Sequence, residues 1–172
     1  MASTPEYRIK SLGPAHDRAG FSSDVPELDD YLRLRAGQDA RRKVAAPFVL
    51  VDEGDSILGY YTLSAYSIRL DILPKEIARR LPRYPLIPAT LLGRLAVSSD
   101  HRGLGIGRML LMDGLRRSYQ NTKEIASVGV VAEALAEIAR AFYIHHEFMP
   151  MLNHPNRLFL PMGTIEKVFR AR

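Results

Sequence analysis

The chain has 172 residues, 47% hydrophobic and 25% charged, with 24 Lys and Arg against 19 Asp and Glu and a formal net charge of +5. These proportions fit one globular domain and exclude a disordered or collagen-like chain. The absence of cysteine excludes a disulfide framework, a thiolate zinc site and an acyl-cysteine intermediate, so any acyl transfer must be direct.

Met1 to Glu6 lacks the basic and apolar segments of a secretory signal, and no apolar run approaches the roughly 20 residues that span a bilayer. A cytoplasmic protein without membrane spans is expected, and its basic excess favours a polyanionic partner. In chain order, Tyr7 to Lys10 is predicted as a short strand. Ser23-Asp24-Val25-Pro26-Glu27 then supplies a capping side chain and an early proline for a helix whose Leu28, Tyr31, Leu32 and Ala36 share one face. Phe48 to Asp52 and Ile57 to Ile68 read as a hairpin about the turn Glu53 to Ser56. Pro74 to Leu81 is predicted as a short helix, and Pro82, Pro85 and Pro88 as an irregular connection. Thr90 to Val97 is the next strand, followed by a polar loop over Ser98 to Gly103 and a helix from Leu104 to Tyr119 with Ile106, Leu110, Leu111 and Leu115 inward. Ile125 to Val131 is predicted as a strand, Glu133 to His145 as a helix, and Arg157 to Leu160 with Ile165 to Phe169 as strands closing the sheet. This alternation implies one α/β domain over residues 1–172.

The strand–loop–helix unit carries the chemistry. Arg102-Gly103-Leu104-Gly105-Ile106-Gly107-Arg108 stands where a strand passes into a helix. Its glycines let backbone N–H groups face a ligand, and the helix start adds unsatisfied donors and the positive dipole end, which suit a pyrophosphate. Arg102 and Arg108 add mobile positive charge. A tight loop with no ligand is the alternative, while neither the Walker pattern nor the dinucleotide fingerprint fits.

Arg102, Gly105 and Gly107 after the strand Leu92-Gly93-Arg94-Leu95-Ala96-Val97 resemble the acetyl-coenzyme A loop of the GNAT acetyltransferases. The resemblance implies a mixed central sheet flanked by helices, whose central strands splay to admit the cofactor near Ala96 and Ser127. It also implies that Leu95, Ala96 and Val97 offer backbone to the pantetheine arm. Phe21-Ser22-Ser23, Pro26-Glu27-Leu28-Asp29, Gly59 to Ser64, Leu81 to Pro85 and Arg157 to Met162 are similar to the branch that acts as toxins in bacterial toxin–antitoxin pairs. For that branch the implied activity is acetylation of the free α-amine of aminoacyl-tRNA, which stops translation. The implied partner is a cognate antitoxin, commonly a ribbon-helix-helix protein. Two positions depart from the branch: Ser23 replaces a frequent Cys, and Glu147 before Phe148 replaces the usual Gly.

The resemblance also makes Tyr143 the general acid for the departing thiolate, whereas its residue context alone fits a core aromatic beside Phe142. An α-amine is neutral in roughly one molecule in six to eleven at pH 7, a lysine amine in about one in 2,500, so an α-amine acceptor needs no strong base. His145 and His146 are adjacent on a helix and cannot readily chelate one metal, so no metal site is expected. Asp29-Asp30 and Asp52-Glu53 are read as a helix face and a hairpin turn. Arg33, Arg35, Arg41, Arg42 and Lys43 form one basic cluster, and Arg79, Arg80 and Arg83 a second. Each is a solvated face or a phosphate-contacting surface for a tRNA acceptor stem. The alternatives to a toxin are an acetyltransferase for a small amine or a protein N-terminus, and a non-catalytic GNAT-fold binding module. The oligomeric state stays open, a homodimer included.

Overall fold

The structure, a computed structural model, describes residues 3–170. Its elements are β1 (Arg8–Ser11), α1 (Pro26–Leu34), α2 (Ala36–Arg41), β2 (Ala46–Val51), β3 (Ile57–Arg69), α3 (Lys75–Ala78), β4 (Leu86–Val97), α4 (Ile106–Asn121), β5 (Gly129–Glu133), α5 (Glu137–His145), β6 (Met149–Met151), β7 (His154–Pro161) and α6 (Met162–Arg170). Short 3-10 turns cover Leu70–Ile72 and Ser99–His101. The strands follow the order β1-β2-β3-β4-β5-β7-β6 in a mixed sheet flanked by helices, as the resemblance implies. The chain up to Leu63 with Arg94–Gly114 forms one compact unit; Ser64–Gly93 with the chain from Leu115 forms another.

In the first unit, β1, β2 and the start of β3 pair antiparallel, from Arg8–Val51 to Ser11–Phe48 and from Ala46–Leu63 to Val51–Ile57. The Asp52 carboxylate accepts the N–H groups of Gly54 (3.0 Å) and Ser56 (2.9 Å), which closes the hairpin as expected. Side chains alternate across the strands. Val49, Val51 and Tyr60 pack with Phe21, Tyr31, Leu32 and Ala36, while Leu50, Leu58 and Tyr61 pack with Ile106 and Leu110 of α4. At Gly59 a Cβ would stand 2.8 Å from Leu110 Cδ1 and 2.9 Å from the Ala96 carbonyl, so no side chain fits. Pro26 opens α1, but the cap differs from expectation: Val25 is the N-cap and no side chain caps the helix.

In the second unit, β4 and β5 run parallel through Thr90–Val130, Leu91–Val131 and Leu92–Ala132, and β5 pairs antiparallel with β7. Ile68, Leu73, Ala89, Val131, Met151 and Phe159 form its core. The second strand starts at Gly129 rather than Ile125, because residues 122–125 bond back onto the end of α4 and leave Ile125 66% exposed. Glu133 ends β5 opposite Arg157, so α5 begins at Glu137 instead of Glu133. Ile165 to Phe169 is helical, not a strand: despite β-branched residues, Ile165 and Phe169 stand four apart on one face, and Phe169 stacks on Tyr119 at 6.3 Å. Pro88 lies inside β4, where its carbonyl accepts Val128 N–H at 2.9 Å. Three-residue β6, with Pro150 at its centre, had no legible periodicity. Among the described residues no helix is long and apolar enough to cross a membrane.

Candidate functional site

The expected phosphate loop lies in the first unit. Leu95 and Val97 are partly buried and Ala96 is buried, which fixes the end of β4. Gly103 (φ 77°) and Gly105 (φ 79°) occupy the left-handed region, and a Cβ on either would meet nothing within 4 Å, so the space before them is open. Gly107 is already inside α4 and has no positive φ. Ile106, almost fully buried, anchors the start of α4, while Leu104 is 52% exposed. Among the described residues, the backbone N–H groups of residues 103–108 have no acceptor; the first bonded donor is Met109, to Gly105 O at 3.0 Å. A row of unsatisfied amides ending at a helix N-terminus suits an anion.

The two arginines of this loop differ. Arg108 is exposed and has no ion pair among the described residues. Arg102 is engaged by the protein itself: its guanidinium donates to the Ser23 carbonyl and stands 3.9 Å from the Asp24 carboxylate. Asp29 likewise departs from expectation. Only Asp30 lies on the solvated helix face, paired with Arg33. Asp29 is 8% exposed and accepts Ser23 N–H at 2.9 Å and Ser23 Oγ–H at 2.7 Å. Arg94 is a further residue the sequence reading passed over: its Cζ stands 3.6 Å over the ring of Tyr31. Burial, then the hydrogen bond given to Asp39, holds the Tyr31 phenol above its ordinary range, and burial does the same for Tyr60.

Tyr143 lies in the second unit, on α5, with 3% of its surface exposed. The helix end that holds it is a Schellman turn: Phe148 N–H donates to Tyr143 O and Glu147 N–H to Ile144 O, both at 3.0 Å, and the Phe148 ring packs 5.2 Å from that of Tyr143. The motif needs a left-handed residue, and Glu147 supplies it at φ 71° in spite of its Cβ. The turn is therefore built in the glycine manner without glycine. Burial pushes the Tyr143 phenol above its ordinary range, and its hydroxyl has no hydrogen-bond partner among the described residues. A buried ring with an uncommitted O–H suits a proton donor. The rings of His145 and His146 stand 5.1 Å apart. The splay expected near Ser127 is displaced: Ser127 precedes the β4–β5 ladder, accepts from the Thr90 hydroxyl at 3.0 Å and donates to Gly129 O, and the ladder ends at Leu92–Ala132.

The basic residues are on the surface. Arg35, Arg41, Arg42 and Lys43 are exposed without ion pairs among the described residues, and so are Arg79, Arg80 and Arg83. Arg18, absent from the expected cluster because it lies in the irregular N-terminal segment, converges with Arg41: a Cβ on Gly37 would stand 2.7 Å from one guanidinium and 3.4 Å from the other.

Comparison with known proteins adds to this geometry. Residues 14–148 match the model of the Acetyltransferase (GNAT) family. The chain is 35% identical over 153 residues, 89% of its length and 90% of the relative's, to a tRNA-acetylating toxin of Mycobacterium tuberculosis. Among solved structures it resembles AtaT complexed with acetyl-methionyl-tRNAfMet, with a TM-score of 0.88 and 28% identity over 95% of this chain and 99% of that one. It also resembles a tyrosine-to-phenylalanine variant of the AtaT toxin bound to the C-terminus of the antitoxin AtaR and acetyl-CoA, with a TM-score of 0.80 and 25% identity over 95% and 98%.

Proposed function

The chain belongs to the acetyltransferase (GNAT) family, and on that premise we propose that it is a toxin that transfers the acetyl group of acetyl-CoA to the free α-amine of aminoacyl-tRNA and so halts translation. The full-length likeness to a tRNA-acetylating toxin carries this reading. The uncommitted amides of residues 103–108 support it, because they fit the pyrophosphate of the cofactor.

Bound acetyl-CoA supplies an activated thioester carbonyl for a neutral amine. Leu95, Ala96 and Val97 offer backbone groups to the pantetheine arm. Gly103, Leu104, Gly105, Ile106 and Gly107 hold the pyrophosphate through N–H groups, with Arg108 adding charge and Arg102 belonging to the same loop. Tyr143 is the general acid: its raised pKa keeps the phenol protonated at neutral pH, and its O–H is available to the departing thiolate. Arg33, Arg35, Arg41, Arg42 and Lys43, with Arg79, Arg80 and Arg83, contact tRNA phosphates without reading sequence. The protein acts in the cytoplasm and is restrained by a cognate antitoxin, of the ribbon-helix-helix class by family resemblance.

The test is cell-free translation with and without acetyl-CoA, followed by mass spectrometry of the aminoacyl-tRNA. Arrest that requires acetyl-CoA and leaves N-acetylated aminoacyl-tRNA is expected. Continued translation, with acetyl groups found on small amines or protein N-termini, would transfer the assignment to a metabolic or protein acetyltransferase.

A further inference from the structure

The segment from Arg94 to Arg102, which ends β4 and leads into the phosphate loop, is tied to α1 and the chain entering it at three points. Arg94 covers the Tyr31 ring at 3.6 Å, Ser99 N–H donates to Ser22 O at 2.8 Å, and Arg102 donates to Ser23 O. Ser23 is in turn held by Asp29 through two bonds, and its Oγ also accepts Val25 N–H at 3.2 Å. Both Ser23 and Asp29 are buried, and helix capping does not use either. Beyond Arg102 the chain passes through two left-handed glycines whose surroundings are open, so nothing on the ligand side sets the course of the loop. Its course is set at its two ends, by Arg102 where it begins and by buried Ile106 where α4 starts.

We infer that Asp29 and Ser23 are positioning residues for the phosphate loop: Asp29 fixes Ser23, and the Ser23 carbonyl fixes the Arg102 guanidinium from which the loop departs. The inference rests on reading that loop as the acetyl-CoA site. Asp29→Asn keeps the side-chain shape and one acceptor oxygen but removes the charge that strengthens both Ser23 bonds, so it loosens the first link of the chain.

The experiment uses the full chain with Asp29→Asn, Arg102→Ala and the double variant, comparing acetyl-CoA binding by isothermal titration with steady-state kinetics. Asp29→Asn should raise the KM for acetyl-CoA about 10-fold, as charge assistance is withdrawn from both Ser23 bonds, while kcat and the KM for aminoacyl-tRNA stay within about twofold. The double variant should be no worse than the weaker-binding single variant, since both break one chain of contacts. A folded Asp29→Asn protein with wild-type KM, or KM effects that multiply in the double variant, overturns the inference. Should Asp29→Asn not fold, Ser23→Ala removes the Oγ bonds to Asp29 and Val25 but keeps the Ser23 N–H bond to Asp29, and is expected to raise that KM about threefold; an unchanged value is equally decisive. Wild-type protein that fails to bind acetyl-CoA would overturn the reading of the loop and the brace with it, whereas wild-type binding with unaltered variants overturns the brace alone.

Discussion

Tyr143→Phe deletes one oxygen and leaves the ring between Phe142 at 5.4 Å and Phe148 at 5.2 Å. Because the hydroxyl has no hydrogen-bond partner among the described residues, no internal bond is lost, and stability should change by less than about 0.5 kcal/mol. Catalysis should respond on another scale. Loss of a positioned proton donor slows transfer by roughly 10² to 10⁴-fold, equivalent to about 3 to 5 kcal/mol of activation free energy. The assay is single-turnover acetylation of aminoacyl-tRNA at saturating acetyl-CoA, paired with a thermal melt. A folded variant keeping more than about a tenth of the wild-type rate would refute the general-acid role. The pH profile gives a second check. A phenol whose pKa is raised holds its proton to higher pH, so no loss of the acid occurs below about pH 10. The value of kcat/KM should climb as the acceptor α-amine deprotonates near pH 7.7 to 8.0 and then stay level; a fall between pH 8 and 10 would point to a different acid.

Gly105→Val forces a β-branched side chain into φ 79°, where even an unbranched residue costs about 1 to 2 kcal/mol, and should raise the acetyl-CoA dissociation constant at least about tenfold by calorimetry. Unchanged affinity would remove the loop assignment. Glu147→Gly should relieve left-handed strain while keeping the Schellman bonds, for a net gain of about 0.5 to 1 kcal/mol after the extra flexibility of the unfolded chain. A melting temperature raised by about 1 to 4 °C is expected, and a lower one would show that the Glu147 side chain contributes more than its backbone strain takes away. Charge reversal at Arg79, Arg80 and Arg83 should weaken tRNA binding and flatten its salt dependence with acetyl-CoA affinity unaltered, as read by filter binding across a salt series. An unaltered salt slope would return these arginines to a solvated face.

Local chemistry made much of this legible. The hairpin about Asp52 is a side-chain-to-backbone turn, and the glycine loop needs the backbone freedom that its residues advertise. Errors came where distant chain segments decide. Asp29 carries the same charge as Asp30, yet one is buried against Ser23 and the other pairs with Arg33 at the surface; spacing alone cannot tell them apart. Arg102 and Arg108 flank one loop, but only the first finds a carbonyl supplied by residue 23. Ile165 to Phe169 is helical although its β-branched content favours a strand, because the four-residue spacing lets Phe169 pack on Tyr119. Glu147 illustrates the reverse: a residue with a Cβ stands where the branch has Gly, yet the bonds to Tyr143 O and Ile144 O are those of the usual turn.

The donors presented by residues 103–108 are main-chain atoms, and every amino acid except proline carries one. Drift at exposed Leu104 can therefore proceed almost unseen by selection, while the left-handed positions 103 and 105 can drift only against backbone strain. This asymmetry bears on inhibition. A compound that mimics the pyrophosphate would lean on groups that no side-chain exchange can withdraw, and a lineage escaping it would have to reshape the turn and surrender its own cofactor in doing so.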